Sequence, residues 1–234
     1  MQLPRPRHRN LSDFRVGVIL DDPAAPVSSA VGEVLADAVD ALATAGMTIV
    51  DALPQFDLAV SHRHYLQLFY GQEASNFPRS LRADYDDAFE DLGDADASRR
   101  AMVIRGVSQR HRHWLAINER RQRLRAAWAD WFSQVDLLLC PITVVPAYPH
   151  DHSPLGSRTL RVDGVRRDYW EALFWAGLAT LALLPATVLP AGISRDGLPV
   201  GLQAIGPYLE DLTPIAFARA AAEVIGGARR PPGF

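Results

Sequence analysis

Histidine is the residue type whose spacing most directly suggests chemistry in this chain. Six of the seven histidines lie in pairs two residues apart. Two of these pairs fall in segments predicted to be helical, where side chains two residues apart point about 200° away from each other and cannot bind one ion together. The third pair, His150 and His152, flanks Asp151 in a predicted loop. A metal-dependent hydrolase that uses His150 and His152 is therefore one alternative for the function.

The basic residues restrict the chemistry further. All 24 of them are arginine, and the chain contains no lysine. A lysine base, a Schiff-base lysine and a P-loop lysine are therefore excluded from these 234 residues. The formal net charge of −3 does not indicate a nucleic-acid or membrane partner, and we expect neither. The single Cys140 cannot form an internal disulfide, so we predict a reducing, cytoplasmic location.

The elements that must position any site are those of an α/β fold. A predicted strand at 15–20, a helix from residue 28 and a strand at 47–53 form a βαβ unit, whose two strands should be parallel. Further strands are predicted at 136–141, 186–190 and 199–205, and further helices at 57–75, 98–132, 170–184 and 212–225. We predict a mixed, largely parallel sheet that is covered by helices.

Two segments between these elements are less regular. The segment 98–132 carries an apolar seam with a spacing near 3.5 residues, which predicts one long helix, or two helices if Gly106 interrupts it. Its arginines should face outward and pair with the neighbouring acidic stretch 79–97, rather than bind nucleic acid. The segment 141–168 contains several prolines and is predicted to be a loop.

Three motifs carry a resemblance to a known family. They read Asp-Leu-Leu-Leu-Cys-Pro-Ile-Thr at 136–143, Leu-Pro-Ala-Thr-Val-Leu-Pro-Ala-Gly at 184–192 and Asp-Gly-Leu-Pro-Val-Gly-Leu-Gln-Ala-Ile-Gly at 196–206. Their order and spacing resemble the C-terminal half of an amidase signature enzyme. The most specific part is Gly-Leu-Pro-Val-Gly-Leu-Gln at 197–203, and the resemblance covers most of residues 14–225.

The resemblance implies an activity together with the groups that perform it. Family members hydrolyse carboxamide C–N bonds without a metal or organic cofactor, using a serine nucleophile, a second serine and a lysine base. This sequence has no lysine and no Gly-Gly-Ser-Ser-Gly type loop, so no catalytic residue can be transferred to it. We therefore expect an N-terminally incomplete chain that is inactive alone and binds a small amide substrate only when the missing half completes it.

A second alternative is not enzymatic. The chain could be a scaffold or interaction module that pairs with a polypeptide carrying the missing half, or that forms a homo-oligomer. An amidase-like sheet that is divided in two should leave apolar surface uncovered, and such surface marks interfaces.

Four residues are candidates for a substrate pocket. Thr143 follows the strand at 136–141, at a sheet end where α/β proteins commonly bind ligands. Tyr148, Phe174 and Trp175 are candidates for an aromatic pocket wall.

The same patterns divide the chain into three parts. We predict a tail or severed linker at 1–13, an amidase-like region at 14–228 and a loose tail at 229–234.

Overall fold

The computed structural model describes residues 2–93, 96, 98–228 and 230. Most of the predicted loose tail at 229–234 lies outside the described residues. The strands are β1 (Arg15–Val18), β2 (Thr48–Ile49), β3 (Leu137–Pro141), β4 (Thr159–Val162), β5 (Val165–Asp168), β6 (Ala186–Ile193) and β7 (Pro199–Ile205). The helices are α1 (Ser29–Thr44), α2 (Leu58–Glu73), α3 (Arg79–Glu90), α4 (Arg99–Val107), α5 (His111–Phe132), α6 (Phe174–Ala182) and α7 (Leu212–Ile225).

The main sheet has the strand order β2-β1-β3-β7-β6. Strand β1 pairs in parallel with both β2 and β3, whereas β7 is antiparallel to its neighbours β3 and β6. Four of the five strands therefore run in one direction, with β7 reversed. The predicted α/β fold with a mixed, largely parallel sheet is confirmed, and so is the parallel pairing within the first βαβ unit.

The central strand β3 separates two layers of core. Leu137 and Leu139 belong to the cluster that packs against α1 and α7. Leu138 and Cys140 belong to the cluster on the opposite face, which includes residues of α5 and α6. Because successive strand side chains point to opposite faces, an uninterrupted apolar strand can fill both layers.

The long helix predicted at 98–132 is two helices. Helix α4 ends at Val107 and α5 begins at His111, so the single-helix prediction is wrong and the two-helix alternative is confirmed. Gly106 is itself helical, and the break follows it. Helix α2 lies so close at this position that an added Cβ would come within 2.4 Å of the Tyr70 Cβ, so the glycine serves helix packing rather than chain termination. Beside the break, Arg110 pairs with Glu90 of the acidic stretch.

The predicted loop at 141–168 contains a β-hairpin, so the loop prediction is wrong for its second half. Strands β4 and β5 pair antiparallel across Asp163 and Gly164, whose φ angles are 47° and 83°. Asp-Gly is a favoured pair for such a two-residue turn, and this signal was present in the sequence. Leu160 and Val162 of β4 are buried in the core, which holds the hairpin against the domain.

Among the described residues, no helix combines the length and the apolar character that crossing a membrane requires.

His62 makes the stability of this fold depend on pH. Its ring packs 5.1 Å from the Phe174 ring, and burial lowers the pKa of His62 to about 4, with the charge of Arg63 adding to the effect. The unfolded chain, where a histidine pKa is about 6.5, therefore binds more protons between those two values. Since this folded-state pKa is depressed, the stability is present above pH 6.5 and is lost as the pH falls toward 4. We expect the free energy of unfolding to fall by about 2 kcal/mol between pH 7 and pH 5 from this group alone.

Urea denaturation at both pH values checks this prediction. The variant His62→Gln should lose that part of the pH dependence, while His150→Gln, at an exposed position, should keep it. Equal pH dependence in wild type and His62→Gln would contradict the assignment.

Candidate functional site

A cavity of about 530 Å³ opens at the carboxyl edge of the sheet. Strands β1, β3 and β6 run in one direction, so the segments that follow them meet at this edge. The cavity is bordered by the start of α1, the loop after β3, the β4–β5 hairpin and the β6–β7 turn. In α/β proteins this edge is where ligands commonly bind, because loops from several strands converge there.

The structure brings two of the four predicted pocket residues to this edge. Tyr148 lines the cavity and contacts Tyr169, with 6.4 Å between the ring centroids. Desolvation and a hydrogen bond to Tyr169 raise the pKa of Tyr148 to about 12, so its hydroxyl stays protonated. Thr143 lines a smaller adjoining cavity of about 160 Å³. Both cavities are bordered by the loop segment 145–147, so the two side chains belong to one region of the surface.

The other two predicted residues lie deeper. Phe174 and Trp175 begin α6 and are 1% and 0% exposed, packed in the core cluster on the α6 side of the sheet. Neither lines the two cavities at the carboxyl edge. Pocket lining by Phe174 and Trp175 stays a prediction.

Polar groups of distant segments meet at the start of α1. The Asp163 carboxylate accepts hydrogen bonds from the Ser29 backbone N–H at 2.9 Å and from the Ser29 hydroxyl at 3.0 Å, so it caps the helix from the hairpin. Arg195 donates to the same hydroxyl at 2.8 Å. The buried hydroxyl of Ser28, which lines the cavity, has no hydrogen-bond partner among the described residues. Sequence reasoning missed these four residues, although the Asp163-Gly164 turn signal pointed to the hairpin that brings Asp163 here.

This arrangement can hold a polar molecule, but its side chains do not form a known nucleophile–base pair. Cys140 is fully buried, and burial raises the pKa of its thiol to about 12, against the opposing hydrogen bond from Gln203. No group of three or more His, Cys, Asp or Glu side chains in the described part of the chain is placed to hold a metal ion. His150 and His152 stack on each other, with their ring centroids 6.1 Å apart. The cavity at the carboxyl edge can therefore bind a ligand through hydrogen-bond donors and a complementary shape.

Gln203 of the most specific motif has a structural role. It is buried in β7, and its side-chain amide donates to the Cys140 thiol at 3.2 Å and to the Trp175 carbonyl oxygen at 3.3 Å. These contacts join β7, β3 and α6 behind the carboxyl edge.

Comparison with known proteins agrees with this fold and with the motifs. The sequence profile of the Amidase family matches residues 2–213, and the chain belongs to this family of amidase signature proteins.

Individual relatives show how much of each protein the match covers. The chain is 28% identical over 231 residues to a glutamyl-tRNA(Gln) amidotransferase subunit from Ralstonia nicotianae, and the match covers 91% of this chain and 44% of that protein. It is 42% identical over 95 residues to the corresponding subunit from Thermus thermophilus, covering 39% of this chain and 17% of that protein. A solved bacterial aryl acylamidase of the amidase signature family superposes with a TM-score of 0.66 at 19% identity, over 93% of this chain and 44% of that one. This chain thus spans less than half the length of each of these relatives.

Proposed function

We propose that this chain forms one wall of a site that hydrolyses carboxamide C–N bonds, and that the serine nucleophile and the base come from residues other than these 234. The observation that carries the proposal is the cavity at the carboxyl edge, where Thr143 and Tyr148 lie in a chain of the amidase family. The absence of lysine supports an external base. Those groups would belong to a longer form of the polypeptide or to a partner chain.

The roles proposed for this wall are binding and orientation. The protonated Tyr148 hydroxyl and the unpartnered Ser28 hydroxyl would donate hydrogen bonds to the amide oxygen or to a polar substituent. Thr143 would extend the same surface toward the smaller cavity. Phe174 and Trp175 would form an aromatic wall of the complete site, once the residues that are missing from this chain are present. No cofactor is part of this proposal.

The purified chain alone is expected to show no turnover of simple aryl and alkyl amides above the uncatalysed background. The physical reason is that these 234 residues include no lysine base and that burial raises the pKa of the Cys140 thiol to about 12, so it stays protonated. Product release can be followed by chromatography. Turnover that is well above background and is abolished by Thr143→Ala or Tyr148→Phe would overturn the proposal, because it would place the whole reaction in these residues.

A complementary experiment supplies the missing groups. The amino-terminal half of the Ralstonia relative, co-expressed with this chain, should give amide hydrolysis that Tyr148→Phe reduces. Tyr208→Phe, at an exposed position outside both edge cavities, is the matched control. A complex that forms and stays inactive on a panel of amides would count against the hydrolytic role.

A second candidate function is pairing with another chain as a scaffold, and the edge strand β6 favours it. Strand β6 is eight residues long and lies at the end of the sheet order, so it pairs with β7 alone within the main sheet. Its Val188 and Ile193 side chains are 55% and 58% exposed. A long edge with exposed apolar side chains can add a strand from a partner chain or from a second copy. The name of the Ralstonia relative, which describes one subunit of an amidotransferase, agrees with a partner chain.

Light scattering tests this second candidate. The chain is expected to self-associate when it is purified alone, and Val188→Lys should shift it toward the monomer because an edge lysine disfavours strand addition. Leu115→Lys, at an apolar position of α5 that is 49% exposed and away from the strand edge, is the control for a general effect of charge. A monodisperse monomer that unfolds cooperatively would contradict the scaffold hypothesis.

A further inference from the structure

A further cavity lies among the helices α2, α3 and α4. Its volume is about 440 Å³, within the range of small-molecule sites, and it shares no lining residue with the two cavities at the carboxyl edge. It is also bordered by Leu155 and Gly156 and by the 3₁₀ helix Tyr169–Leu173 that precedes α6. The aromatic residues that line it are Phe69, Tyr70, Phe77, Tyr85 and Trp170. Aromatic faces from four different segments thus surround one space.

Two buried hydrogen-bond donors in this wall lack a partner. Tyr70 is 3% exposed, and its hydroxyl proton has no acceptor among the described residues. The indole Nε1 of Trp170 is also buried without a partner in the described part of the chain. The two rings contact each other, with their centroids 5.6 Å apart, and both residues line the cavity. An unpaired buried donor is destabilising, because it has lost its hydrogen bond to water.

The Tyr70 hydroxyl is protonated at neutral pH. Burial raises the pKa of Tyr70 to about 12, although the positive charge of Arg99 and the hydrogen bond that its side chain donates to the Tyr70 hydroxyl oxygen oppose the rise. The hydroxyl therefore keeps its proton at neutral pH. Arg99 is itself a donor only and offers no acceptor to the hydroxyl proton.

The charged groups around the cavity already have partners. Arg99 pairs with Asp168 at 3.1 Å and donates to the Gly156 carbonyl oxygen at 2.7 Å. Glu73 accepts a hydrogen bond from the Asn76 side-chain amide at 2.7 Å. Since these charged groups are already engaged, the cavity does not require a charged ligand.

From these observations we infer that the cavity between α2, α4 and the 3₁₀ helix binds a neutral, flat aromatic molecule with a carbonyl oxygen, which accepts hydrogen bonds from the Tyr70 hydroxyl and the Trp170 indole N–H. The ring of the ligand packs among the aromatic walls. Its carbonyl oxygen has two lone pairs, which matches the two unpaired donors. The site does not depend on the hydrolytic role proposed for the carboxyl edge.

Acetanilide, a neutral aryl amide, is a suitable probe, and nuclear magnetic resonance of the full chain gives a direct readout. Five tryptophans give indole N–H signals, and the signal that is lost in Trp170→Phe identifies Trp170. Titration with acetanilide should shift this signal saturably. N-Ethylaniline, in which a methylene group replaces the carbonyl, should bind about tenfold more weakly, since one or both hydrogen bonds are lost.

Tyr70→Phe separates a ligand-binding role from a structural one. It should weaken acetanilide binding about tenfold, while the melting temperature of the free protein stays the same or rises because an unpaired buried hydroxyl is removed. Tyr208→Phe, at an exposed tyrosine outside this cavity, should change neither quantity. The inference is overturned if acetanilide causes no shift of the Trp170 signal, if N-ethylaniline binds equally well, or if Tyr70→Phe lowers the melting temperature and leaves the affinity unchanged. The last result would mean that ordered water alone satisfies these donors.

Discussion

Replacing Gly106 by alanine is expected to lower the free energy of unfolding by about 3 kcal/mol, because the new methyl group has no space between α2 and α4. A Cβ at this position would lie 2.4 Å from the Tyr70 Cβ and 2.9 Å from the Gln67 carbonyl oxygen. Both atoms are fixed to the helix α2 and cannot rotate away, so the helices must separate. In a domain of this size the melting temperature should fall by roughly 6 to 12 °C.

Gly32 provides the matched control for the Gly106 prediction. It is also a helical glycine, but an added Cβ there would meet only the Val27 side chain at 3.8 Å, which is ordinary contact. Gly32→Ala should therefore be neutral or stabilise α1 by about 0.5–1 kcal/mol through helix propensity. Calorimetry of the two variants compares them directly. If Gly106→Ala is as stable as Gly32→Ala, the close approach of α2 and α4 is wrong.

Replacing Arg7 by methionine is the second large effect that we expect, again about 3 kcal/mol of unfolding free energy. The Arg7 guanidinium donates to both carboxylate oxygens of Glu210, at 2.7 and 2.9 Å, and to the Phe132 carbonyl oxygen at 2.7 Å near the end of α5. It also pairs with Asp136, which is 7% exposed, at 3.3 Å. Hydrogen bonding to Glu210, with the adjoining charges, raises the pKa of Arg7, although burial opposes the rise. Methionine keeps much of the side-chain volume but leaves the acceptors of this network without their donor.

Arg9→Met removes the same charge from an exposed position two residues away, and should change stability by less than about 0.5 kcal/mol. Urea denaturation at neutral pH measures both variants. The comparison also tests the predicted division of the chain, in which 1–13 is a tail or linker. An effect of Arg7→Met as small as that of Arg9→Met would support the tail, whereas the expected large loss would assign residue 7 to the folded domain.

The order of the elements could be predicted from the sequence because the signals for helices and strands are local. The apolar run at 137–141 sits in the centre of the sheet, and the spacing of apolar residues in 29–44 produced the amphipathic helix α1 that covers one face. The motif at 197–203 indicated the family, since its glycines and its buried Gln203 serve a specific strand and turn. The hairpin at 159–168 was missed although the Asp-Gly pair was visible, because its short strands follow a proline-rich segment that favoured a loop.

The candidate site was only partly accessible to sequence reasoning. The end of β3 marks the carboxyl edge, and Thr143 became a candidate because it follows that strand. Thr143 and Tyr148 both line cavities at this edge, and their role in binding stays a prediction. Phe174 and Trp175 were chosen because they are aromatic, and an aromatic side chain fits a core as well as a pocket wall. Both side chains pack in the core cluster on the α6 side of the sheet in this structure, and pocket lining by them stays a prediction.

By itself, the sequence determined the family through the spacing of its motifs and the α/β class through the periodicity of its apolar residues. Its composition also showed that these 234 residues contain no lysine base. All three are properties of the linear sequence. The tertiary structure alone decided which distant side chains meet. Arg7 and Glu210 are 203 residues apart, and the unpaired donors Tyr70 and Trp170 come together only where α2 packs against the 3₁₀ helix before α6. Such contacts depend on helix packing and on the space left between the elements, which no local pattern of residues encodes.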